Sequence, residues 1–65
     1  MGEREQMTDK EIMIQFLNEI GIKHNVTNDG IWIDSEAIDG CTHNLFIKFY
    51  QDYNDKFQEI QVYEA

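Results

Sequence analysis

Residues 44–63 read Asn44-Leu-Phe-Ile-Lys-Phe-Tyr-Gln-Asp-Tyr-Asn-Asp-Lys-Phe-Gln-Glu-Ile-Gln-Val-Tyr63, two runs of alternating apolar and polar side chains joined by a polar stretch around Asn54-Asp55. Alternation with a period of two belongs to strands that cover one face. A two-residue turn at Asn54-Asp55 sets Tyr53 opposite Lys56, Tyr50 opposite Glu59, Phe49 opposite Ile60, Ile47 opposite Val62 and Phe46 opposite Tyr63. Aliphatic side chains then meet on one face, and Phe46, Lys48, Tyr50, Gln61 and Tyr63 take the other. A slip of one residue would mix the two sets, so this pairing is favoured. The stretch is expected to form a hairpin with strands at 44–52 and 57–64.

Upstream, Thr8-Asp9-Lys10-Glu11 has the form of a capping box, in which the Thr8 hydroxyl accepts the Glu11 amide and the Glu11 carboxylate accepts the Thr8 amide. Beyond it Ile12, Met13, Phe16, Leu17 and Ile20 fall within an arc of about 140° at helical spacing, and Gly21 supplies the left-handed residue that ends helices. A helix at about 9–20 with one buried face follows. Ile22, His24 and Val26 alternate with polar neighbours, then Asn28-Asp29-Gly30 precedes Ile31-Trp32-Ile33. Three loop residues ending in Gly suit a turn with a left-handed Gly bulge, which predicts a hairpin of Lys23–Thr27 with Ile31–Asp34. Residues 35–44 have loop composition with room for one helical turn. The fold class expected is α+β, in two layers: one N-terminal helix packed on a four-stranded antiparallel sheet of two hairpins. Ile31, Ile33, Leu45, Ile47, Phe49, Ile60 and Val62 would lie beneath the helix.

The chain has 65 residues, 42% of them hydrophobic and eight aromatic, enough for one small core and no more. Residues 1–7 read as a flexible tail and 8–65 as a single domain. Thirteen acidic against five basic residues give a net charge of −8, which disfavours nucleic acid and anionic membranes as direct partners. One cysteine forms no internal disulfide and no window reaches the length of a membrane span, so a cytoplasmic location is expected.

Chemistry is thinly represented. Asn25–Glu36 lies over the pattern of an EF-hand loop, but Asn stands where Asp is usual and no helix follows Glu36, so a hairpin explains the same residues. His24, Cys41 and His43, with Asp39, fall short of two metal-binding knuckles. Cys41 with either histidine would need a positioned base and a water-excluding pocket that a domain of this size scarcely provides. No catalytic, cofactor-binding or metal residues are therefore assigned, and no cofactor is expected.

Two contact surfaces remain. One helix cannot cover both faces of a sheet, which leaves Trp32, Phe46, Tyr50, Phe57 and Tyr63 as an aromatic outer face suited to another protein or a second copy. The expected function is a non-catalytic interaction module, a homodimer through that face or through a sheet edge. The alternative is an acidic, phage-type inhibitor in which Asp34, Glu36, Asp39, Asp52 and Asp55 imitate nucleic acid and occupy the basic cleft of a processing enzyme.

Overall fold

The computed structural model describes residues 7–51 and 54–65. Most of the expected tail lies outside these residues, as do Asp52 and Tyr53. Among the described residues one helix, α1 (Asp9–Ile20), packs on a sheet of β1 (Asn25–Val26), β2 (Gly30–Ile33), β3 (His43–Phe49) and β4 (Phe57–Glu64), antiparallel and in chain order. A single turn of 3-10 helix at Ser35–Ala37 lies between β2 and β3.

The helix begins and ends where the sequence places it. Glu11 N–H donates to Thr8 Oγ1 at 3.2 Å and Thr8 N–H to Glu11 Oε1 at 3.0 Å, so both arms of the capping box form. Gly21 takes φ 78°, and the Ile22 amide returns to the Leu17 carbonyl at 2.9 Å, closing the last turn and turning Ile22 toward the core.

The first hairpin departs from expectation in its turn. Thr27 N–H donates to the Gly30 carbonyl at 2.8 Å, while the Gly30 amide donates to the Thr27 hydroxyl at 3.1 Å. The loop is thus the pair Asn28-Asp29, and Gly30 is the first residue of β2, opposite Lys48. Gly30 lacks the positive φ expected of it; among the described residues Gly21 and Gly40 are the glycines that have one. What it supplies is space: a Cβ there would lie 2.5 Å from Phe46 Cζ and would strike the Ile47 carbonyl.

The second hairpin keeps the expected faces but is displaced by two residues. Leu45 pairs with Val62, Phe46 with Gln61, Ile47 with Ile60 and Lys48 with Glu59. An even shift leaves every side chain on its face, so alternation alone does not choose between the two registers. The observed one sets Lys48 against Glu59, a cross-strand charge pair, where the expected one set Tyr50 there. β3 ends at Phe49, short of residue 52, and the Tyr50 amide donates to the Lys56 carbonyl at 2.9 Å across a loop longer than two residues. The ladder also shifts after Lys48 so that Phe49 faces Phe57, leaving Gln58 as the extra residue of a bulge.

Leu17, Ile31, Ile33, Ile47 and Phe49 are buried, with Met13, Ile14, Ile22, Ala37, Ile38 and Leu45 packed around them. Two members of the expected core are missing: Ile60 is 52% and Val62 59% exposed. Width explains this. Four strands at about 4.8 Å spacing present a face wider than a helix about 10 Å across can cover. The helix is also rolled from its expected orientation, burying Leu17, partly covering Met13 and Ile14, and leaving Ile12, Phe16 and Ile20 half exposed.

Candidate interaction surfaces

Two neighbouring side chains fix which way the helix faces. Lys10 Nζ donates to the Thr27 carbonyl at 2.6 Å, reaching the β1–β2 turn. Asp9 Oδ2 accepts the Phe57 amide at 2.8 Å, reaching the start of β4. At 100° per residue, Asp9, Ile12, Phe16 and Ile20 share an arc of about 80°. The row Ile12, Phe16 and Ile20 therefore looks toward β4, while Met13, Ile14 and Leu17 look down onto the sheet.

Ile60 and Val62 lie on the helix side of β4, because their partners are the core residues Ile47 and Leu45. The five side chains are between 50% and 59% exposed. Ile12 and Phe16 border a shallow concavity together with Gln15 and Glu19. Isolated exposed aliphatics are ordinary on a protein surface, but two exposed apolar rows, one on α1 and one on β4, are candidates for contact.

The opposite face of the sheet gathers three of the five aromatic residues expected there. Trp32 lies with its ring centroid 6.4 Å from Phe46 and 5.7 Å from Tyr63. Trp32 Nε1–H donates to Asp34 Oδ1 at 2.7 Å, the Tyr63 hydroxyl donates to Gln61 Oε1 at 2.6 Å, and Gln61 Nε2–H donates to Glu59 Oε2 at 2.8 Å. Trp32 and Phe46 are half buried by each other and by the sheet, with the Phe46 ring over Gly30. Tyr63 remains 45% exposed, and the polar atoms of Trp32 and Tyr63 have partners.

The other two separate from this group. Tyr50 stands beyond the end of β3, 51% exposed. Phe57 is carried by the bulge to a position opposite Phe49 and meets that ring edge-on at 6.2 Å, which puts it on the helix side rather than the outer face.

The carboxylates do not form one surface. Asp34, Glu36 and Asp39 flank the 3-10 turn where β2 ends and β3 begins, whereas Asp55 lies in the β3–β4 loop at the other end of β3. Seven strand residues separate these ends by about 20 Å. Asp34 is already engaged by Trp32, and Asp55 has φ 47°, a left-handed backbone conformation used to shape the loop.

The residues with chemical potential are turned apart. The Cys41 thiol donates to the His43 carbonyl at 3.2 Å, the His43 ring lies 2.9 Å from the Thr42 hydroxyl, and His24 Nδ1 donates to the Ile22 carbonyl at 2.8 Å. No thiol–imidazole contact forms between Cys41 and His43. Among the described residues no three His, Cys, Asp or Glu side chains gather as metal ligands, and no helix is long and apolar enough to cross a membrane. A concavity of about 420 Å³ opens between β1, β2 and the 3-10 turn, lined by Lys23, His24, Trp32, Asp34 and Glu36. Its Trp32 and Asp34 are bonded to each other, and its His24 Nδ1 to backbone, while Lys23, Asn25 and Glu36 complete a mostly polar lining.

The exposed rows on α1 and β4 were missed in the sequence because each carried a valid core pattern. Their one legible signal was quantity: helix and sheet together offered more apolar positions than a helix of this width covers. Comparison with protein-family models, with characterised proteins and with solved structures finds no match to this chain.

Proposed function

We propose that this chain is a non-catalytic contact module of the cytoplasm, needing no cofactor, that acts by self-association through the exposed apolar rows of α1 and β4. The carrying observation is the half exposure of Ile12, Phe16 and Ile20 along one face of α1 and of Ile60 and Val62 on the helix side of β4. Removing such rows from water is favourable at about 25 cal/mol per Å² of apolar area. The aromatic outer face is a weaker candidate, since Trp32 and Phe46 are partly covered and the polar atoms of Trp32 and Tyr63 are paired, although Tyr63 stays 45% exposed. The acidic inhibitor reading would need its carboxylates on one continuous surface, and their division between two ends of the sheet weighs against it.

Salt separates the readings by sign. Each copy carries a charge of −8, so bringing two together costs repulsion that added salt screens. Self-association through apolar rows should therefore strengthen as salt is raised, whereas capture of a basic cleft by carboxylates should weaken. Light scattering and sedimentation over a wide range of protein concentration, at low and high salt, test this. A chain that stays monomeric throughout would end the self-association reading.

A further inference from the structure

The concavity between β1, β2 and the 3-10 turn lies apart from the apolar rows, and its volume of about 420 Å³ is that of a small-ligand site. Trp32 supplies its aromatic wall. Because β2 runs between β1 and β3, Phe46 and Tyr63 approach the indole from one side while the concavity opens on the other. Internal bonds hold the walls. Trp32 Nε1–H is fixed by Asp34 at 2.7 Å, the Ala37 amide donates to the Asp34 carbonyl at 3.0 Å, and the Ser35 amide donates to Asn44 Oδ1 at 2.8 Å. The ring and the turn that carries Glu36 are thus set in place by the protein itself, and a ligand need not order them.

The charges of the lining select the sign of that ligand. The carboxylates of Asp34 and Glu36 stand against the single ammonium of Lys23, in a chain of net charge −8, so a cation is favoured over a phosphate or a carboxylate. Acceptors outnumber donors as well. His24 gives its Nδ1–H to the Ile22 carbonyl, which leaves Nε2 of the neutral ring as an acceptor, and Asn25 adds an amide oxygen. Since no three metal-ligating side chains gather among the described residues, the cation is an organic one. An ammonium is compact and strongly hydrated and gains little from a site open to water. A guanidinium is planar and weakly hydrated, lies against aromatic rings, and spreads its N–H groups over several acceptors.

We infer that this concavity binds an alkylguanidinium group, its plane against Trp32 and its N–H groups toward Glu36 and Asp34. The site is independent of the self-association proposed above. The group can come from a free alkylguanidine or from an arginine side chain of a peptide, since both present the same chemistry.

The chain has one tryptophan, so indole emission reports this site alone. At constant ionic strength, ethylguanidinium and N-acetylarginine methylamide should each change that emission saturably in the millimolar range, and N-acetyllysine methylamide should bind at least about five-fold more weakly. Tighter binding of the arginine derivative assigns the site to peptides, and tighter binding of ethylguanidinium assigns it to small molecules. Lys23, Glu36 and Glu19 are exposed, so their substitution leaves the fold in place. Glu36→Gln should weaken binding about two- to five-fold and Lys23→Gln should tighten it by a similar factor, while Glu19→Gln on α1, which alters the net charge equally, should change nothing. Equal binding of the lysine derivative, an effect of Glu19→Gln as large as that of Glu36→Gln, or emission that never saturates would overturn the site.

Discussion

Two rows of residues cross the helix side of the sheet, and each passes from buried to exposed within three strands. In the first, Ile31 is 0%, Ile47 5% and Ile60 52% exposed; in the second, Ile33 is 3% and Val62 59% exposed, with Leu45 between them partly covered. Every residue in both rows is aliphatic, and the face is the same along each. What differs is whether α1 stands above. Alternation assigns a side chain to a face of the sheet, but whether that face is wet or dry depends on the width of the layer laid over it.

The sharpest test of this contrast is to truncate one end of the first row. Ile31→Ala should destabilise the fold by about 2–5 kcal/mol, since it leaves a cavity where no solvent reached, and chemical denaturation would show the fall in midpoint. A loss near that of an ordinary surface change would mean that the β2–β3 half is not the core.

Next in size is Gly30→Ala, at about 1–3 kcal/mol, because the added methyl meets the Ile47 backbone carbonyl and the Phe46 ring. Unchanged stability would show that β2 and β3 do not approach so closely, and the distinction between a tightly paired half and an open half would lose its basis.

Thr8→Ala should cost about 1 kcal/mol, as it removes the acceptor for the Glu11 amide at the start of the element that covers the first half. The midpoint of denaturation measures it, and no change would place the helix start elsewhere.

Smallest is Ile60→Ala, under about 1 kcal/mol when measured at concentrations where the chain is monomeric, since half of the side chain is already in water. A loss comparable to that of Ile31→Ala would erase the contrast between the rows.

These residues also show how far the sequence could be followed. Thr8 and Glu11, Gly21, and the alternation along β3 and β4 depend on neighbours within a few positions, and the helix bounds and strand faces taken from them hold in the structure. Gly30 was expected in the turn and instead begins β2: a glycine before a strand suggests backbone freedom, whereas here it makes room for a ring and a carbonyl on the next strand. The β3–β4 register was off by two, because pairs separated by two residues share a face and only Lys48–Glu59 and the bulge at Gln58 distinguish them. Phe57 followed that bulge to the helix side. Three of the expected outer aromatics, Trp32, Phe46 and Tyr63, did come together, since strand alternation places each without help from the loop.

The sequence by itself determined one capped helix, four antiparallel strands and the face on which each strand residue except Phe57 lies, since those follow from local hydrogen bonding and from the periods of helix and strand. Only the tertiary structure decided the roll and position of the helix over the sheet. That choice arises from contacts between segments distant in the chain, Asp9 to Phe57 and Lys10 to Thr27 among them. With it came the division of one apolar pattern into a core beneath α1 and an open strip along β4, because a helix is narrower than four strands.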